Sequence, residues 1–222
     1  MSAKSVFVTG AARGLGKAIA DALEQRGDRV GRGTRESADV TDFSAVEKAL
    51  TDFAAGGLDA VIVNAAIAPA GLLATADPAE LRRVVETNVL GPLHCARAAL
   101  PSMMAQRRGL ILFIGSVAAS RPARGQAAYA TSKSGVETLT RSIAVEYGRK
   151  GIRAICVRPG AIDTDLLRTT RSLAEREILE RIPMKRIAPA DEIARAVLMF
   201  LGDDASYVNG AVIDIDGGYA AG

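Results

Sequence analysis

Short apolar runs alternate with longer amphipathic stretches from one end of the chain to the other. Val6-Phe7-Val8, Val61-Ile62-Val63, Leu110 to Ile114 and Ile152 to Val157 are apolar at successive positions. Strands buried on both faces read this way, and such strands belong to parallel sheets. The pattern predicts strands near 4–9, 29–34, 58–64, 109–115, 152–158 and 211–215. It predicts helices near 14–26, 42–55, 78–105, 126–149, 166–181 and 190–202. Strict alternation of the two predicts an α/β fold with a doubly wound parallel sheet. With 222 residues, one domain spanning 1–222 is the natural expectation. A chain this long buries roughly 70–75% of its unfolded surface and needs no covalent staple.

The first strand ends in Thr9-Gly10, and Ala11-Ala12-Arg13-Gly14-Leu15-Gly16 lead into the first helix. Gly10 lets the backbone leave the strand sharply, Gly14 lets it approach a pyrophosphate, and Gly16 permits close packing of helix on sheet. The free N–H groups of the helix start then face the anion. At the other end of the chain Tyr129 and Lys133 share one helix face. Ser116 follows the apolar run Leu110 to Ile114. A phenol, an ammonium and a second hydroxyl are what hydride chemistry at a carbonyl needs.

The spacing Thr-Gly-x-x-x-Gly-x-Gly, taken with Ser116, Tyr129 and Lys133, resembles the short-chain dehydrogenase/reductase family over nearly the whole chain. Asn88 falls where that family has its helix-borne active-site asparagine. Pro159, Gly160 and Thr164, with Ile162 between them, match its Pro-Gly-x-x-x-Thr segment, and Asp216-Gly217-Gly218 resembles its C-terminal turn. The resemblance implies a Rossmann-type fold. It implies that Tyr129 is the general acid, that Lys133 also holds the nicotinamide ribose, and that Asn88 holds a water linking Lys133 to solvent. It implies that Thr164 binds the carboxamide. Ser116 would donate to the carbonyl oxygen as charge develops. An ammonium near the phenol should lower its pKa from about 10.

Two departures from the family stand out, and a third position bears on the nucleotide. Only a few residues separate Thr34-Arg35 from Asp39-Val40-Thr41-Asp42, whereas a parallel neighbour needs a crossover of a dozen or more residues. The third strand and its preceding helix are therefore expected to be shortened or lost, leaving the second strand at the sheet edge. Asp39, with Val40 beside it, resembles the family aspartate of the adenine pocket. Val63-Asn64-Ala65-Ala66 stands where many relatives read Asn-Asn-Ala-Gly; Asn64, Ala65 and Ala66 should still pass the cofactor ribose. NAD-preferring relatives end the second strand with an acid, and here that position is Thr34, followed by Arg35. Arg35 and Arg13 could grip a 2′-phosphate, so NADP(H) is expected, with NAD(H) the less favoured cofactor. Glu36 is the residue that could favour NAD.

Composition narrows the function further. The net charge of +3 is modest and dispersed, and there is no tryptophan, which argues against nucleic acid as a partner. No apolar run is long enough to span a membrane, and the N-terminus lacks the apolar core of a secretion signal. Cys95 and Cys156 form no disulfide framework, which fits a cytoplasmic setting. His94 reads as a packing or interface residue, and no metal site is expected.

The segment 164–184 mixes Leu166, Leu167, Leu173, Ile178 and Leu179 with arginines and resembles the family's variable lid. Ala68, Pro69, Val117, Ala118, Ala161 and Ile162 suit a neutral ketone or secondary alcohol. The reading is thus an oxidoreductase, with reduction the expected direction. A narrower alternative is a 3-oxoacyl-[acyl-carrier-protein] reductase, because Arg107 and Lys150 fall where those enzymes dock the acidic carrier. An alternative of another class is a catalytically silent nucleotide-binding regulatory protein. By resemblance the helices carrying Ala96, Ala98, Ala99, Ala128 and Ala144 pair across a two-fold axis, giving a homotetramer or dimer.

Overall fold

The structure is a computed structural model that describes residues 3–163 and 173–221. Its sheet has six parallel strands: β1 (Ser5–Thr9), β2 (Arg29–Gly33), β3 (Ala60–Val63), β4 (Gly109–Ile114), β5 (Ile152–Pro159) and β8 (Ala211–Ile215), ordered β2-β1-β3-β4-β5-β8. A second, two-stranded parallel sheet joins β6 (Ile162–Asp163) to β7 (Ala188–Pro189). The pattern did not announce it, because strands of two residues carry no periodicity.

The side-chain alternation of a strand divides the core in two. Phe7, Val61, Val63, Ile111, Phe113, Ala154 and Cys156 face one side, where they meet α2 (Phe43–Ala54), α4 (Gly91–Gln106) and α5 (Ala127–Tyr147). Val6, Val8, Ile62, Leu110, Leu112, Ile155 and Val157 face the other, against α1 (Gly14–Gln25) and the helix Ala190–Met199. Helix starts follow local chemistry. Asp42 caps α2 by accepting from the N–H groups of Ser44 and Ala45 at 2.9 and 3.2 Å. Asp77 caps α3 (Pro78–Val85), which opens with proline at a position needing no N–H.

The strand between β2 and β3 that the family pattern supplies is absent. From Gly33 the chain turns through Thr34–Asp42 directly into α2, and β2 is the sheet edge. Its glycines have a packing reason. A Cβ on Gly31 would lie 2.5 Å from Phe7 and 2.8 Å from Phe53, whose rings meet edge-on at 5.6 Å.

The long helix expected over 78–105 is not regular. A π-helical turn, Glu86–Leu90, separates α3 from α4. The segment expected as a lid contributes a helix α6 (Leu173–Arg181), followed after β7 by α7, the helix Ala190–Met199. Thr164, Leu166 and Leu167 lie outside the described residues. No helix among the described residues is long and apolar enough to cross a membrane.

Candidate active site

The sheet order reverses at β1, so the chain leaves β1 and β3 in opposite directions. Their C-terminal ends flank the switch point, the position where doubly wound sheets bind ligands. Thr9 braces it. Its buried hydroxyl accepts from the N–H groups of Asn64 and Ala65 at 3.0 and 3.2 Å. The Asn64 amide returns Nδ2–H bonds to the carbonyls of Thr9 and Gly10 at 3.1 and 3.3 Å. The glycine turn is thereby tied to the end of β3. The sequence motif includes Thr9 but does not say what it does; its place at the last residue of an apolar strand was the available signal.

The turn fits a dinucleotide. Gly10 and Gly14 have φ of +65° and +55°, a region that side chains other than glycine rarely adopt. A Cβ on Gly16 would stand 2.3 Å from the Gly10 carbonyl oxygen. No side chain caps α1, and its first turn holds no acid, so its orphan N–H groups are left for an anion. Leu15 packs under the turn, while Arg13 is exposed at its rim. Ala66 has no positive φ, so the glycine of the relatives is not required here. The Gly160 N–H donates to Ile215 at 3.0 Å, and a Cβ on Gly160 would meet the Asp216 Cα at 2.8 Å. The Asp216 carboxylate accepts from the N–H groups of Gly218 and Ala220.

At the end of β2 the turn is self-bonded. Thr34 donates its hydroxyl to Glu36 at 2.8 Å, which holds the Glu36 carboxyl below its usual range. Arg35, with 88% of its side chain exposed, stands 3.6 Å from Asp39. Asp39 accepts from the backbone and hydroxyl of Thr41 at 2.9 and 2.8 Å, the bond to the backbone lowering its pKa most. Val40 is buried against Gly91, and its carbonyl meets His94 at 2.9 Å.

The structure brings Ser116, Tyr129, Lys133 and Asn88 together. Ser116 leaves β4 and caps a short 3-10 turn, its Oγ accepting from Ala118 at 3.2 Å. Tyr129 lies in the first turn of α5. Burial raises its pKa, and a hydrogen bond from Ser116 acts in the opposite sense. Lys133 is 4% exposed and donates to the Ile114 carbonyl at 2.7 Å. Burial pulls its pKa down to about 8. Burial and Ser116, not the Lys133 ammonium, set the direction of the Tyr129 shift in this geometry. The Lys133 ammonium lies 5.7 Å from the Tyr129 ring centroid and is turned to a carbonyl, and burial moves both groups toward their neutral forms.

Asn88, in the π-helical turn, has both side-chain N–H donors engaged. Its Oδ1 accepts from Ile67 at 2.9 Å, and its Nδ2 donates to the Ile67 carbonyl at 2.7 Å and to Ser132 at 3.1 Å. A water at this residue can meet only acceptor atoms. No group of His, Cys, Asp and Glu among the described residues is arranged to hold a metal. Ala96 and Ala99 face the protein's own core, so the two-fold pairing that the resemblance implies would not run through these two residues. The exposed apolar residues there are Leu90, Leu93 and Val145.

A family model described as Enoyl-(Acyl carrier protein) reductase matches residues 28–220. The chain is 36% identical to 3-oxoacyl-[acyl-carrier-protein] reductase MabA of Mycobacterium tuberculosis, over 99% of this chain and 94% of the relative. A crystal structure of 3-ketoacyl-(acyl-carrier-protein) reductase from Brucella melitensis complexed with NADH matches with a TM-score of 0.91 at 26% identity, covering 98% of each chain. A structure of ElxO with NADP bound matches with a TM-score of 0.92 at 26% identity, over 100% of both chains.

Proposed function

The chain belongs to the short-chain dehydrogenase/reductase family and is an oxidoreductase, and we propose that it reduces ketones to secondary alcohols with NADP(H). The observation that carries this reading is a half-buried phenol next to Ser116 and one helical turn from a buried lysine. When bound, the nucleotide supplies a hydride to the carbonyl carbon. Tyr129 gives its phenolic proton to the carbonyl oxygen, and Lys133, protonated below pH about 8, returns a proton to the phenolate. Ser116 donates to the same oxygen while charge develops.

The absence of an acid at Thr34 and the exposure of Arg35 and Arg13 support NADP(H). A second reading, NAD(H), has its own observation, the Glu36 carboxylate held on Thr34 at the strand end. An acyl-carrier substrate is supported by the names of the relatives. Arg107 and Lys150, however, precede β4 and β5, whereas Ser116 follows β4. The pair is therefore roughly a strand length, about 20 Å, from the chemistry. Exposed Leu90, Leu93 and Val145 support a homo-oligomer built on α4 and α5, and a cytoplasmic setting suits the two buried, unpaired cysteines.

The test is NADPH oxidation across a panel of ketones and 3-oxoacyl thioesters, with Tyr129→Phe beside the parent. Loss of about 10²–10⁴ in kcat is expected for an acid catalyst. Equal turnover by the two proteins would overturn the assignment.

A further inference from the structure

The chemistry above has no part for Ser132, yet its hydroxyl is among the most constrained in the molecule. Ser132 is 2% exposed and Asn88 is 1% exposed. The Ser132 Oγ accepts from Asn88 Nδ2 at 3.1 Å and donates to the backbone carbonyl of Tyr129 at 2.6 Å. The remaining Asn88 donor and its acceptor both bond the backbone of Ile67, beyond β3. One unbroken chain thus runs from that loop, through a π-helical turn, to the turn of α5 that carries the phenol and the lysine. Departures from regular helix of this kind concentrate at functional sites.

We propose that Ser132 is a positioning residue that sets where the Tyr129–Lys133 turn stands relative to the switch point. The proposal rests on the reading of Tyr129 as the general acid. A serine bonded to a carbonyl one turn back loosens a helix when it acts alone. Here the same hydroxyl is gripped from the opposite side by Asn88, so the turn is pinned. Each bond in such a chain polarises the next. Removing the hydroxyl leaves one buried Nδ2 proton of Asn88 without a partner and releases the Tyr129 carbonyl from its side-chain donor. A displacement of the phenol well under the width of an atom is enough to slow proton transfer, since about 1 Å of misplacement costs up to roughly 100-fold.

The experiment compares the parent with Ser132→Ala, Ser132→Thr, Asn88→Ala and the Asn88→Ala/Ser132→Ala double variant. Each is measured for kcat and KM in ketone reduction, NADPH dissociation constant and thermal midpoint. The expected result for Ser132→Ala is a kcat lowered by about ten-fold, with KM and the NADPH constant within about two-fold of the parent. Ser132→Thr, which keeps the hydroxyl, recovers most of kcat. The double variant is no slower than the slower single one, because both act through one chain. A parental kcat in Ser132→Ala, multiplicative effects in the double variant, or no recovery by threonine would each overturn the proposal. If the alanine variant fails to fold, Ser132→Cys keeps the volume with only a weak donor, and a parental kcat there overturns it equally. Tyr129→Phe separates the two readings. If it turns over like the parent, the acid assignment fails; if it is dead while Ser132→Ala is parental, the positioning role alone fails.

Discussion

Replacing Lys133 by methionine should stabilise the fold near neutrality while ending turnover. The lysine is 4% exposed, and its pKa falls from 10.5 to about 8, mainly because burial penalises the ammonium. Between those values the unfolded chain holds a proton that the folded one has lost, so stability rises with pH across that window. Below the folded value the penalty is present in full. At about 1.4 kcal/mol per pH unit it amounts to about 3 kcal/mol at pH 7 and about 1 kcal/mol at pH 10. Methionine removes the penalty but takes away the donor 2.7 Å from the Ile114 carbonyl, a loss of about 1–3 kcal/mol that does not depend on pH. The variant is therefore about as stable as the parent at pH 7, or more so by about 1–2 kcal/mol, and loses about 2 kcal/mol of that standing by pH 10. Urea unfolding of both proteins at the two pH values measures it, with the slope checked for constancy. An unchanged difference between pH 7 and pH 10 would refute the reasoning.

Turnover should follow the same group: kcat/KM for reduction should decline above pH about 8, and a flat profile to pH 10 would deny Lys133 a cationic role. Gly16→Ala places a Cβ 2.3 Å from the Gly10 carbonyl. It should destabilise by about 1–3 kcal/mol and weaken NADPH binding, as read by thermal shift and fluorescence titration. Arg35→Asp should reverse the preference between NADPH and NADH; a parental ratio of the two dissociation constants would show that Arg35 does not meet the 2′-phosphate. Cys95 and Cys156 are buried, with thiols pushed up to about 12 by desolvation. Neither should react with an aromatic disulfide reagent at pH 8 until urea is added, and fast labelling of the folded protein would contradict their burial.

Much of this was legible because the strands are apolar on both faces and the helices are long. The six strand positions followed from the apolar pattern, and the loss of the third strand followed from the family resemblance set against the spacing, since a crossover helix cannot be hidden in the few residues after Arg35. The β6–β7 pair was illegible because four residues carry no period. The π-helical turn was illegible because its signal is one displaced hydrogen bond within an otherwise helical run. At the site, residue types and order gave Ser116, Tyr129, Lys133 and Asn88. They did not give the electrostatics, because the direction of the Tyr129 and Lys133 shifts is set mainly by burial, which a motif does not encode. Thr34 and Glu36 illustrate the same gap, for nothing in the sequence says that one hydroxyl will hold the other's carboxylate.

Losing a strand leaves β2 with one row of backbone groups unpaired, and such a border invites association with other chains. This border is poorly suited to it. Gly31 and Gly33 offer no side chain to interdigitate, and the Arg29 guanidinium is folded over Phe53 and onto the Phe53 and Gly57 carbonyls. Arg32 is clamped to Asp21 and Glu24. The same glycines that admit Phe7 and Phe53 from beneath keep the rim from becoming a template. Refilling that rim with β-branched residues to gain sheet propensity would therefore trade away colloidal solubility, and any attempt to strengthen this fold is better aimed at α2 than at its border strand.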